Sequence, residues 1–182
     1  MFRTEPSEIT GCLQLIPNKF SDLRGGFVKV FHKEYFKALG LETEFVEDYY
    51  TESIHGVIRG MHFQSPPFDH NKLIYCVNGE VFDAVLDLRV GSPTYGKAST
   101  FTVSAKLGNC LYVPKGLAHG FCVLSEKATL VYKVSSVHSI SHDSGIHWNS
   151  ANIEWPTLKP IISQRDMGFQ DLASFSSPFK YE

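Results

Sequence analysis

The strongest constraint on this chain lies between residues 57 and 134, where short β-branched and aromatic runs alternate with turn-forming residues. Val57–Gln64, Lys72–Val77, Glu80–Leu88, Ala98–Val103, Cys110–Val113, Gly120–Leu124 and Thr129–Val134 read as strands. Ser65-Pro66-Pro67, Gly91-Ser92-Pro93, Gly108-Asn109 and Pro114-Lys115-Gly116 separate them. Branched and aromatic side chains suit a pleated, half-buried surface, whereas Gly, Pro and Asn end it. Such a series predicts an all-β sandwich or barrel, with an eight-stranded jelly roll as the natural closure. Asn78-Gly79 lies between two alternating runs and predicts a tight hairpin.

Upstream, Leu13–Ile16 reads as a first strand, Asp22–Gly26 as a turn and Phe27–Phe31 as a strand. His32–Leu39 is the one short helix, ended by Gly40, and Phe45–Thr51 is extended again. From about residue 136 to 182 the chain is irregular, with Trp148 and Trp155-Pro156 as anchors. The length of 182 residues suits one domain, 1–182, with a substantial core. A net charge of −2 gives no reason to expect a nucleic-acid partner. No apolar run approaches membrane-spanning length, and Met1–Pro6 lacks a signal peptide's apolar core. Cys12, Cys76, Cys110 and Cys122 form no CxxC pair, so they read as buried reduced thiols of a cytoplasmic protein, not disulfides or a zinc site.

Side chains alternate faces along a strand. Phe82, Ala84, Leu86 and Leu88 share one apolar face, and Asp83 shares the other with Val81 and Val85. Across the expected hairpin Lys72 shares a face with Ile74 and Cys76, and Tyr132 shares one with Leu130 and Val134. A Lys and an Asp on apolar strands are costly unless paired or functional. In Gly56-Val-Ile-Arg59-Gly60-Met-His62-Phe-Gln64, His62 falls on one face with Ile58, Gly60 and Gln64. Gly60 leaves room beside it for a ligand. Arg59 falls on the opposite face unless a bulge or strand end intervenes. A histidine in this setting suits proton transfer, but a lone half-buried histidine is more often a hydrogen-bonded structural residue than a catalyst.

Those motifs recur in order with others: Phe20-Ser-Asp22-Leu-Arg24-Gly25, Lys72-Leu, Gly79 to Arg89, Val113-Pro-Lys-Gly116-Leu-Ala-His119-Gly120-Phe, Tyr132-Lys133 and Pro160-Ile-Ile-Ser163-Gln-Arg-Asp166. Together, over roughly residues 10 to 170, they resemble the dTDP-4-dehydrorhamnose 3,5-epimerase family. The resemblance implies a cupin-type jelly roll that works without metal or cofactor. It implies a homodimer that exchanges N-terminal strands, about residues 10–50, and a nucleotide-linked 4-keto-6-deoxy sugar as substrate in deoxysugar biosynthesis. It implies catalytic roles for His62 with Asp166 as base, Tyr132 as acid and Lys72 beside the C4 oxygen. Asp83, His119 and Gln64 would line the pocket, and Arg24 and Arg59 would hold the diphosphate or nearby sugar oxygens. Phe20 would stack the base, and Phe27, Lys29, Glu47 and His138 would contact the substrate.

The residue types suit that chemistry. The protons on C3 and C5 of a 4-keto sugar are acidified by the carbonyl. Removing one leaves an enolate with its charge on the C4 oxygen. A histidine with a carboxylate partner supplies the base, a phenol supplies the opposite acid, and a buried lysine stabilises the oxyanion. Guanidinium forks suit a diphosphate.

The chain departs from the family at several positions. Lys29 stands where Glu is usual, Glu47-Asp48-Tyr49 where Gln-Asp-Asn is usual, His138 where a tyrosine is usual and His70 where a glutamine is usual. An acceptor-only Glu47 matches an exocyclic amino group, which cytosine has and thymine lacks, so a CDP-linked sugar is an alternative, as is epimerisation at C3 or C5 alone. A rearranged dTDP site with Lys29 and Glu47 paired is the other outcome. A closer alternative is a sugar 3,4-ketoisomerase on the same fold; more distant ones are a sugar-binding jelly roll without catalysis and a metal-dependent cupin. For the last, the eight histidines include no His-x-His.

Overall fold

In the computed structural model, which describes residues 2–181, the chain opens on an antiparallel pair, β1 (Phe2–Pro6) and β2 (Leu13–Pro17). A second pair, β3 (Lys19–Asp22) and β4 (Gly25–Val28), stands apart as its own two-stranded sheet. Next come α1 (Lys33–Ala38), β5 (Glu47–Ile54), β6 (Ile58–Gln64), β7 (Lys72–Asn78) and β8 (Glu80–Asp87). They are followed by β9 (Ala98–Ser104), β10 (Cys110–Val113), β11 (Leu117–Val123) and β12 (Lys127–Val134). The tail adds β13 (Asp143–Gly145), the one-turn helix α2 (Gln164–Met167) and a 3-10 turn at Leu172–Ser174.

Two sheets face each other as a jelly-roll sandwich, ordered β1-β2-β10-β7-β12-β5 and β13-β6-β11-β8-β9. Both keep free edges, so the architecture is the sandwich and not a closed barrel. Ile74, Val81, Val85, Leu111, Phe121 and Leu130 fill the space between the sheets. Lys72, Asp83 and Tyr132 lie on these inner faces, with the face-mates that alternation gives them. Ala84 and Leu86 on the outer face of β8 pack under Ile153, Trp155 and Phe179 of the tail. That face is buried too, which is why β8 reads as a nearly continuous apolar run. On the other outer face Leu73 and Tyr112 pack under Phe36 of α1, which Phe31 and Phe45 flank. The irregular tail and the short helix thus cover sheet faces that would otherwise meet water.

Four expectations change. Asn78-Gly79 does not close a hairpin, because β7 and β8 belong to different sheets. It is a corner where the chain changes sheet. Gly79 has φ +80, and a Cβ there would overlap the Lys127 carbonyl oxygen. The expected turn at 22–26 and strand at 27–31 become a tighter hairpin that turns at Leu23-Arg24. Leu13–Pro17 is the second strand, since β1 precedes and pairs with it. Strand β11 begins at Leu117 and not at Gly120, which brings His119 onto the strand. The four cysteines are buried and unpaired, as read from their spacing. No helix among the described residues is long and apolar enough to cross a membrane.

Candidate active site

The site begins with an irregularity in β6. His119 of β11 pairs with His62, but Phe121 pairs with Arg59, so the register slips by one residue between them. Such a bulge reverses side-chain parity beyond it. Arg59 therefore turns to the inner face with His62, while Ile58 packs outward with Met61 and Phe63. This corrects the strict alternation that grouped His62 with Ile58 and set Arg59 opposite. Gly60 makes the bulge possible. Its φ is +136, and a Cβ would lie 2.5 Å from Gly120 Cα and 2.9 Å from the His119 carbonyl oxygen. Gly120 is equally confined, its own Cβ position lying 2.7 Å from Met61 Sδ and 2.9 Å from the Arg59 carbonyl oxygen.

A cavity of 330 Å³ opens at this end of the sandwich. Among the residues that line it are Arg59, His62, Lys72, His119, Tyr132 and His138. Asp166 lies behind His62, its Oδ2 2.9 Å from Nε2. The same oxygen accepts the Gly60 N–H at 3.1 Å, and Oδ1 accepts Arg165 Nε–H at 3.2 Å. The Ser163 hydroxyl caps α2 by accepting the Asp166 N–H at 3.1 Å, which fixes the carboxylate's backbone. Burial acts to raise the Asp166 carboxyl, but hydrogen bonds from His62, Gly60 and Arg165 together hold it well below the usual carboxylate range. Burial lowers His62 below the ordinary imidazole value, against the upward pull of Asp166. His62 thus rests as a neutral imidazole beside an ionised carboxylate. In the tautomer that carries its hydrogen on Nε2 toward Asp166, Nδ1 keeps a lone pair.

Lys72 is fully enclosed, and its ammonium donates to the His62 carbonyl oxygen at 3.3 Å. Burial brings it down to about 8, against the opposing charges of Asp143 and Asp83. The Tyr132 phenol is pushed well above 10 by burial and by the nearby Tyr49 and Asp83, so it remains a proton donor at any working pH. Its ring stacks on Tyr49, centroids 4.8 Å apart at 14°. His119 Nε2 is 2.8 Å from Asp83 Oδ2, while Asp83 Oδ1 is buried without a hydrogen-bond partner among the described residues. Burial raises Asp83, with His119 and Lys72 pulling the other way. Arg59 donates through Nε to Ser53 Oγ at 2.9 Å at the cavity rim. Gln64 is tied into the floor: its amide accepts the Ser139 N–H at 2.6 Å and donates to the Phe68 carbonyl oxygen at 2.8 Å.

Glu47 lines the cavity but does not meet Lys29; its Oε2 accepts the His138 N–H at 3.0 Å. Phe20, Arg24 and Phe27 lie elsewhere, in the exposed β3–β4 hairpin, where they border a separate shallow groove. Arg24 there pairs with Asp22 at 2.6 Å. Lys29 is exposed just beyond β4. A single chain therefore does not bring these four residues to the cavity.

Tyr49 is singled out in the sequence only as a departure from the family; Thr51, Asp143 and Arg165, which also line the cavity, escape the motif reading. Carrying the two-residue alternation along β5 from Glu47 reaches Tyr49 and Thr51. Arg165 adjoins Asp166 in a matched motif. Asp143 lies in the aperiodic tail and carries no sequence signal. His70, noted only as a departure, also lines the cavity, and burial takes it down to about 3, so it stays neutral.

Comparison with known proteins places the chain among relatives. The chain matches the family described as dTDP-4-dehydrorhamnose 3,5-epimerase over residues 6–174. It is 43% identical over 167 residues to dTDP-4-dehydrorhamnose 3,5-epimerase of Shigella flexneri, covering 90% of this chain and 92% of that protein. It is 36% identical over 167 residues to dTDP-4-dehydrorhamnose 3-epimerase of Streptomyces niveus, covering 90% and 81%. The crystal structure of dTDP-6-deoxy-D-glucose-3,5-epimerase from Legionella pneumophila, in complex with dTDP-4-keto-L-rhamnose, is similar throughout, with a TM-score of 0.94, 32% identity and 100% coverage of both chains. On these matches the chain belongs to the dTDP-4-dehydrorhamnose 3,5-epimerase family.

Proposed function

We propose that this epimerase acts on a dTDP-linked 4-keto-6-deoxy sugar, with the His62–Asp166 dyad as base, Tyr132 as acid and Lys72 as the cation at C4. The observation that carries the reading is the dyad itself, with Nε2 2.9 Å from Asp166 Oδ2 in a cavity that also presents Lys72 and Tyr132. The neutral imidazole takes the proton α to the carbonyl on Nδ1. Asp166 holds the tautomer and stabilises the imidazolium that forms. Negative charge moves to the C4 oxygen, where the Lys72 ammonium meets it in a site with little water. The phenol of Tyr132 returns a proton from the other face, and the ketone re-forms with the carbon inverted. The C–H bonding pair passes into the enolate and returns to carbon with the phenol's proton, so nothing is oxidised or reduced; the imidazolium then gives up a proton and the phenolate regains one through solvent.

Arg59 is oriented by Ser53 at the cavity rim and suits a phosphate oxygen. The remaining nucleotide contacts come from a second copy of the chain. Its β3–β4 hairpin would bring Phe20, Phe27, Arg24 and Lys29 over the cavity mouth, in a homodimer. Support comes from the exposure of Phe20 and Phe27, 61% and 59%, on a hairpin that packs into neither sheet. Assay in heavy water with dTDP- and CDP-linked 4-keto-6-deoxy sugars tests both carrier and roles. The dTDP sugar should turn over with deuterium incorporated at the epimerised carbon. His62→Asn should abolish incorporation, and Tyr132→Phe should lower kcat by about 10²-fold or more. Equal or better kcat/KM with the CDP sugar would overturn the carrier, and normal exchange in His62→Asn would overturn the base.

A further inference from the structure

We infer that Arg165 is a positioning residue of the dyad, one that locks the Asp166 carboxylate onto His62 and sets a cation against the same imidazole edge. The inference rests on the reading of His62 as base. Arg165 makes three directed contacts. Its Nε donates to Asp166 Oδ1 at 3.2 Å, its Nη1 donates to Asp143 Oδ2 at 2.6 Å, and its Nη2 lies 2.9 Å from His62 Nε2. The first two anchor it on both sides of the histidine. Asp166 belongs to α2, and Asp143 opens β13, the strand whose Gly145 pairs with His62. The guanidinium also lies 5.5 Å above the Phe169 ring, which meets His62 edge-on at 5.8 Å.

The third contact is of a different kind. Nε2 has one in-plane position, which Asp166 Oδ2 and Arg165 Nη2 both approach at 2.9 Å. In the tautomer that gives its hydrogen to Asp166, Arg165 Nη2 faces an N–H, and the contact is one of opposed positive ends. A cation there disfavours the imidazolium, whereas Asp166 favours it. The other charged and titratable groups around His62 are Lys72 from β7, whose ammonium bonds its carbonyl, His119 from β11, its cross-strand neighbour, and Asp143 from β13. Of the two cations, Arg165 is the one placed on the ring's nitrogen. Its work is to keep the base neutral before substrate arrives while keeping the carboxylate in line for the proton transfer.

The test is the pH profile of kcat/KM for the dTDP-linked sugar, read with an NMR titration of the His62 ring in the substrate-free enzyme. Arg165→Met removes the cation and leaves Asp166 ionised, so His62 should hold its proton to higher pH. The acid limb and the ring titration should both move up by about one pH unit. Arg165→Lys restores a cation but cannot span two carboxylates; its limb should stay near that of the wild type while kcat falls several-fold. If Arg165→Met does not fold, Arg165→Gln carries the same expectation. A uniform loss of kcat/KM with limb and ring titration unmoved would overturn the inference and leave His62 as base. Deuterium exchange persisting in His62→Asn would remove the base and the inference together.

Discussion

Replacing Gly60 by alanine tests whether the bulge in β6 is what assembles the site. The added methyl would lie 2.5 Å from Gly120 Cα and 2.9 Å from the His119 carbonyl oxygen, both backbone atoms of the neighbouring strand that cannot swing aside. The φ of +136 adds strain of its own for a residue with a Cβ. Backbone strain of this type costs about 1–3 kcal/mol, and overpacking costs roughly another 1–3 kcal/mol. The sum, about 2–6 kcal/mol, is a large part of a domain's typical stability of about 5–15 kcal/mol. At roughly 3 °C per kcal/mol for a chain of this size, Tm should fall by about 10 °C. Relief of the overlap requires β6 to pull away from β11, which carries Arg59 and the Asp166 hydrogen bond with it. In the folded fraction, kcat/KM should therefore fall at least about tenfold, as misplacement of positioned groups does. Gly91→Ala is the control, with φ +91 but no heavy atom within 4 Å of the new methyl. It should show the strain alone, about 1–2 kcal/mol, with activity unchanged. Urea and thermal unfolding together with steady-state kinetics give both readings. A Gly60→Ala protein that loses less than about 1 kcal/mol and keeps its kcat/KM would refute the argument, since such a loss is no more than an average substitution causes.

Two further outcomes follow from the site. Burial brings Lys72 to about 8, so the cation proposed to meet the C4 oxygen is present below that pH and lost above it. Epimerisation should decline as pH rises through about 8, and a limb at the ordinary lysine value near ~10.4 would contradict the role. For the shared site, Arg24→Ala and His62→Asn proteins are each impaired, and in a mixed dimer one cavity pairs an intact His62 with an intact Arg24. Unfolding and refolding an equal mixture should recover about a quarter of wild-type activity, and no recovery would count against completion by a second copy.

Alternation along each strand depends only on the backbone's two-residue repeat. It was therefore legible in the sequence which neighbours share a face with Lys72, Asp83 and Tyr132 and that Ala84 and Leu86 face away from Asp83; which of these faces is the sandwich interior came from the fold. The ordered motifs were enough to identify the family and to single out His62 and Asp166. Three features needed the folded chain. The bulge that turns Arg59 toward His62 depends on Gly60 meeting Gly120 across the sheet, and strict alternation pointed the other way. Asn78-Gly79 has the composition of a hairpin, yet its two strands belong to facing sheets, because β7 finds its partners in β10 and β12. Arg165 and Asp143 meet at 2.6 Å from two stretches of an aperiodic tail. Local patterns record which way a side chain points. Register, sheet membership and the pairing of charges distant in sequence are decided only when separate segments pack against one another, and in this protein they decide what surrounds His62.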